Sequence, residues 1–190
     1  MPEDVRPSAG ERCLRAAGEV LLAQPRFLAW LAPVAWAFLI FRLSSSDGAL
    51  EDLPVLPFQG FIWNFAHTVV FGLLALLLVP VAPRRTSAGR RWTALTGVGA
   101  LWTVLLVTLY GFTDELHQST VPGRDASLFD VLSDGVGAAS VMVIVLYLGR
   151  PGRGPGGLRA RLLGAAAACA AAAGLATAWD VLKGEGLWPF

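Results

Sequence analysis

Five stretches of mostly apolar residues, each long enough to cross a lipid bilayer, restrict this chain more than any other feature. They run over 27–43, 61–82, 92–112, 128–148 and 162–182. A bilayer core accepts a helix of about 20 apolar residues, within a range of about 17–25. No water reaches a backbone N–H or C=O there, so each stretch must close its hydrogen bonds within itself. The expected fold is all-α, a polytopic transmembrane helix bundle of four core spans plus a fifth, Ala-rich span. The first run is short and carries Pro33 near its middle. The fifth is largely alanine, with 165–168 and 170–173 flanking Cys169, which suits a helix packed closely on its neighbours. The connections 44–60, 83–91, 113–127 and 149–157 are polar or rich in Pro, Gly and Arg, and none is long enough for a soluble domain.

Three regions follow. Residues 1–26 read as a cytoplasmic N-terminal segment in which Leu14, Ala17 and Leu21 have helical spacing, the pattern of an interfacial or a solvated helix. Residues 27–148 form the four-helix transmembrane domain, and 149–190 a Pro/Gly linker and the fifth helix. The charges before residue 27 are mixed in sign and no small-residue cleavage pattern follows the first run. That run is expected to be an uncleaved helix rather than a signal peptide.

The chain has 15 Lys+Arg against 14 Asp+Glu, and only 15% of its residues are charged while 55% are hydrophobic. A near-neutral balance excludes a nucleic-acid-binding domain, which needs a basic stripe. Abundant apolar surface excludes disorder. The basic residues are divided unevenly. Arg6, Arg12, Arg15, Arg26, Arg84, Arg85, Arg90, Arg91, Arg150, Arg153, Arg159 and Arg161 fall on one side of the spans. Only Arg42, Arg124 and Lys183 fall on the other. Basic residues stay cytoplasmic, so the N-terminus is expected inside and the loops 44–60 and 113–127 outside. With five spans the C-terminus is outside, with Trp179 and Trp188 as interface aromatics; with four it stays inside. Cys13 and Cys169 fall at different depths, which rules out a disulfide framework.

Ionisable residues inside spans are rare and mark functional sites by default. Here they gather toward the outer ends. Asn64, His67 and Thr68 share one face of the second span. Asp114, His117 and Gln118 share a face at the end of the third, with Glu115 about 100° away, turned to solvent or to another partner. Asp130 and Asp134 share a face at the start of the fourth. Arg124 follows Pro122-Gly123 in the loop between. Three polar faces at one depth can converge inside a bundle, where pairing removes the cost of exposing each to lipid. Ser127 three residues before Asp130 also fits a helix-start capping arrangement.

These pieces, in this order, resemble the VanZ-like family of integral membrane proteins. The resemblance rests on Phe41-Arg42-Leu43-Ser44-Ser45 and on Asn64-Phe65-Ala66-His67 with Phe71-Gly72. It continues through Tyr110-Gly111-Phe112-Thr113-Asp114-Glu115-Leu116-His117-Gln118, then Val121-Pro122-Gly123-Arg124 and Asp130, Asp134 and Gly137. It covers roughly 27–148 and leaves out the Ala-rich tail. Two positions depart from it: Asp134, where the family often has Asn, and Thr68, where an aromatic is usual. The resemblance implies a small multi-helix bacterial membrane protein, whose founding members are associated with glycopeptide resistance of the teicoplanin type.

The residues themselves support two expectations. In the first, the chain binds or acts on a cell-envelope lipid or a phosphate-bearing lipid-linked precursor at the outer leaflet. His67, Asp114, Glu115, His117, Gln118, Asp130 and Asp134 are then the candidate catalytic residues, with Arg124 and Asn64 binding the ligand. Arg124 would hold a phosphate, and His67 or His117 would act as acid or base beside Asp114 or Asp130. No metal or other cofactor is expected; a divalent ion on Asp114, His117, Asp130 and Asp134 is a variant of this reading, without a tight ligand spacing to support it. In the second, the protein is a membrane scaffold or shield and the polar cluster is structural.

Overall fold

The structure, a computed structural model, describes residues 9–22, 25–45, 58–85, 94–122, 124, 126–150 and 155–184. Residues 46–57 of the connection after the first span, Gly123, Asp125, Arg90, Arg91, Trp92 and Trp188 lie outside these. The chain forms α1 (Ala9–Leu22), α2 (Arg26–Ala29), α3 (Leu31–Ser44), α4 (Gln59–Leu78), α5 (Gly97–Gln118), α6 (Leu128–Leu148) and α7 (Pro155–Gly184). Arg84–Arg85 and Ala94–Leu95 pair as two-residue antiparallel strands, β1 and β2. Among the described residues, five helical segments are long and apolar enough to span a membrane: Phe27–Ser44, Gln59–Leu78, Gly97–Gln118, Leu128–Leu148 and Gly156–Gly184. The Ala-rich run is thus the fifth of these, and at 30 residues α7 is the longest helix described.

Two boundaries differ from the hydropathy pattern. The first span is interrupted at Trp30, between α2 and α3. Pro33 has no N–H to give to the Ala29 carbonyl four residues earlier, so the ladder lapses there. It resumes when the Val34 N–H donates to the Trp30 carbonyl at 3.1 Å. The third span is displaced from the expected 92–112 to Gly97–Gln118. Its start is set by Thr96, whose hydroxyl accepts the Gly99 N–H at 2.9 Å and donates to the Pro83 carbonyl at 3.1 Å, tying the helix to the turn before it. Its far end passes the apolar run because Asp114, Glu115 and Gln118 are buried against other helices. Residues 113–118, beyond the apolar run but read from their spacing as one helical face at the end of the third span, are the last turns of α5.

α6 is the central helix, packed on α4, α5 and α7, while α7 also lies along α4. The core holds Phe71, Leu74, Ala75 and Leu78 of α4, Val107 of α5, and Ala138, Met142 and Val145 of α6. α3 is held by two side-chain hydrogen bonds to neighbouring backbone. Trp36 Nε1 donates to the Val70 carbonyl at 3.0 Å, and the Tyr110 hydroxyl donates to the Ala37 carbonyl at 2.6 Å. Val34, Phe38, Leu101, Trp102, Leu105, Leu109, Leu163 and Leu175 remain exposed on the outside of the bundle, the surface a lipid environment covers.

The α4–α6 crossing depends on two glycines. A Cβ added at Gly137 would collide with the Thr68 carbonyl, and one at Gly72 would press on the Gly137 carbonyl at 3.3 Å. Small residues of this kind let membrane helices approach at backbone distance. Gly137→Ala is expected to destabilise the detergent-solubilised protein by about 1–3 kcal/mol, the usual cost of overpacking. Gly174→Ala, where an added methyl meets nothing within 4 Å, should leave stability equal or slightly raised. Melting followed by tryptophan fluorescence checks this, and equal melting temperatures for the two variants would contradict the crossing described.

Candidate functional site

His67 lies eight residues into α4, about 12 Å along the helix from its start at Gln59. The Gly72–Gly137 crossing brings it to the first turns of α6, where its Nδ1 donates to Asp134 Oδ1 at 3.1 Å. Asp134 has no exposed surface, while the His67 side chain keeps 25% of its own. The imidazole lies nearly parallel to the buried Phe71 ring, at 5° between planes. Asp134 is confined from the other side too, because a Cβ at Gly111 of α5 would run into its carboxylate. Glycines on α4, α5 and α6 therefore hold this dyad. With Nδ1 engaged, the free coordinating atom of His67 is Nε2.

Glu115 and Asp130 stand beside the dyad. One ligand atom each of His67, Glu115 and Asp130 lie within 4.8 Å of one another, contributed by α4, α5 and α6. Glu115 is 4% exposed, which excludes the solvent-facing alternative. Its Oε2 accepts the Ser127 N–H at 2.8 Å, while the Ser127 hydroxyl accepts the Phe129 N–H at 3.2 Å. The capping arrangement read from Ser127 and Asp130 is therefore made differently. The carboxylate that reaches back to the N-cap N–H comes from Glu115 on another helix, and Asp130 is released from that role. Asp130 Oδ1, Glu115 Oε1, Asp134 Oδ2 and Asp114 Oδ1 are buried with no hydrogen-bond partner among the described residues. Such orphaned acceptors are uncommon in folded proteins.

The remaining candidates fall into two other groups. Asp114 Oδ2 accepts from Gln118 Nε2 at 2.9 Å, the i, i+4 pair expected along α5. His117 turns away from this face toward α3. Its ring stacks on Phe41 at 4.5 Å, and its Nε2 lies 2.8 Å from the Ser45 hydroxyl. That hydroxyl donates its one proton to the Phe41 carbonyl at 2.6 Å, so His117 is the donor in the pair. Arg124 Nη2 donates to the Leu43 carbonyl at 3.3 Å, on the same side as His117. Asn64 turns to α7, donating to Thr177 Oγ1 at 3.1 Å and to Asp180 Oδ2 at 3.0 Å. The three expected polar faces thus converge only in part. His67, Glu115, Asp130 and Asp134 form one centre, His117 and Arg124 lie toward α3, and Asn64 faces the fifth helix. The partner of His67 is Asp134, not Asp114 or Asp130.

Sequence reasoning missed Asp180, Thr177, Ser45 and Gly111. Asp180 carried a usable signal, an acid within an apolar run. Gly111 carried none, since its role is the space it leaves for a side chain of another helix.

Glu115→Ala leaves the Ser127 N–H buried without an acceptor, at a cost of about 1–3 kcal/mol. Amide exchange at Ser127–Asp130 is expected to accelerate in that variant. In Glu115→Gln, whose amide oxygen still accepts, it should stay near the wild-type rate. Unchanged exchange in Glu115→Ala would show that the N-cap does not depend on α5.

A search for similar proteins returns the family model described as VanZ/LLP1, matching residues 27–149. No curated protein and no solved structure matches the chain. The match takes in α3 through α6, including His67, Glu115, Asp130 and Asp134, and ends before α7. Since it covers well over half of the chain, this membrane protein belongs to the VanZ/LLP1 family.

Proposed function

We propose that this protein engages a phosphate-bearing, lipid-linked precursor of the cell envelope at the outer leaflet of the bacterial cytoplasmic membrane, in a role related to glycopeptide resistance of the teicoplanin type. The observation that carries the reading is the His67–Asp134 pair, a buried carboxylate orienting a partly exposed imidazole. A membrane span that serves only to cross the bilayer has no use for such a pair. The carboxylate fixes the tautomer, so that Nε2 can accept a proton or bind a ligand. Arg124, exposed beside the end of α3, supplies the fork that matches a phosphate at the rim. The uneven distribution of arginines supports an orientation with the N-terminus in the cytoplasm and the end of α5 outside.

A second reading has one specific observation in its favour. Asn64, Thr177 and Asp180 join α4 to α7 through side-chain hydrogen bonds, as expected of polar residues that lock a scaffold.

The two readings separate in a glycopeptide-sensitive bacterial host. Expression of the wild type should raise teicoplanin tolerance. His67→Ala and Asp134→Asn should abolish the increase while the protein stays at normal level in the membrane fraction. If both variants retain it, the dyad has no part in function and the scaffold reading stands. Orientation is checked in a Cys13→Ser, Cys169→Ser background. A cysteine at Thr120 should react with membrane-impermeant maleimide in intact cells, and one at Arg150 only after lysis. The reverse pattern would invert the topology.

A further inference from the structure

The buried acids around His67 lack a counter-charge matched to their number. Glu115, Asp130 and Asp134 come within reach of one imidazole, and each keeps one carboxylate oxygen that is buried and unpartnered among the described residues. Two of these side chains are almost wholly inside the bundle, at 4% exposure for Glu115 and 0% for Asp134. Burying an anion without a partner is among the most unfavourable arrangements a fold can hold, so such groups are paired or coordinate metals.

From this arrangement we infer that His67, Glu115 and Asp130 form a binding site for one divalent first-row transition ion. Their ligand atoms lie within 4.8 Å of one another. Donors held tetrahedrally at about 2.1 Å from a metal sit about 3.4 Å apart, so a small inward rotation of side chains closes the set. The three ligands come from three helices, which makes the set a product of the bundle and not of a local loop. His67 Nδ1 is already held by the buried Asp134 carboxylate, leaving Nε2 to coordinate. A carboxylate on the far nitrogen is the usual outer partner of a metal-bound histidine, where it fixes the ring and raises ligand basicity. One imidazole nitrogen with carboxylate oxygens suits Zn²⁺ or Mn²⁺, whereas Mg²⁺ prefers an all-oxygen shell that keeps several waters. This set differs from the variant of Asp114, His117, Asp130 and Asp134 named from the sequence, because His117 is turned to α3 and Asp114 is bonded to Gln118.

Three protein ligands leave a coordination position open, as in sites that accept an outside oxygen. The inference deepens the proposed function, and rests on it only for the nature of that oxygen. A phosphate approaching three carboxylates is repelled, and a dication between them reverses the sign of the interaction.

The test is metal binding by the full chain in detergent, without lipid substrate. After chelation and desalting, titration with Zn²⁺ or Mn²⁺ alone should show one ion per chain and a raised melting temperature. Asp130→Asn and His67→Ala should lose the binding and the rise, and Asp134→Asn should bind 10–100-fold more weakly. In EDTA, Asp130→Asn should melt at or above the wild-type temperature, because it removes a buried charge and no packing. This is a readout that a misfolded variant could not mimic. Absence of binding in the wild type, equal binding in Asp130→Asn and His67→Ala, or tighter binding of Mg²⁺ than Mn²⁺ would overturn the inference. A wild type that binds no metal, combined with loss of teicoplanin tolerance in His67→Ala, would sink the metal site and leave the proposed function standing.

Discussion

The contact on which the rest of this structure depends is the backbone approach of α4 and α6 at Gly72 and Gly137. Gly137 meets the carbonyl of Thr68, the residue after His67. Asp134 lies three residues before Gly137, one turn closer to the start of α6. Once the helices touch at that point, His67 and Asp134 have to face each other. A side chain at either glycine would push the helices apart and separate the imidazole from its carboxylate. Gly111 repeats the device on α5 with Asp134 itself as the neighbour. One aspartate is thereby enclosed by three helices, and its contacts follow from the absence of side chains around it.

That enclosure sets the electrostatics of the end of the bundle where the polar residues gather. A helix bundle in lipid gains little by burying apolar groups against one another, since lipid tails are equally apolar, and its helices are joined by close packing and hydrogen bonds. Acids in such a place are costly unless they are satisfied. Glu115 is partly satisfied by the N-cap of α6, which makes it a structural joint as well as a member of the His67 centre. Asp114 is partly satisfied by Gln118. Asp130 retains an oxygen without any partner among the described residues. This end of the bundle thus buries more carboxyl groups than the hydrogen bonds of the fold satisfy, and chemistry can be built there.

The fifth helix lies beyond the part matched by the family model. α7 runs along both α4 and α6. Beside the start of α6 it presents Thr177 and Asp180 to Asn64 and Trp179 to Phe129 at 5.1 Å. At the opposite end of α6, Arg161 sits over the Tyr147 ring at 4.2 Å. Its alanines Ala172, Ala173 and Ala176 are buried, so the small residues that weaken its apolar character are the ones that let it dock.

The helical class, the number of spans and the gathering of the polar residues at one end of the spans were legible in the sequence. All three follow from local quantities: the length of an apolar run, the cost of an unsatisfied backbone group in lipid, and the spacing of side chains along a helix. The pairing of Asp114 with Gln118 was legible for the same reason, being internal to one helix. The partners of His67, Glu115, His117 and Asn64 were not. Sequence spacing places residues on a face of their own helix and is silent on how that helix is rotated against the next. His117 and Asp114 share a face by count, yet one stacks on Phe41 and the other stays on α5. Which acid meets His67 was decided by glycines at helix crossings, whose effect is the room they leave and which only the assembled bundle reveals.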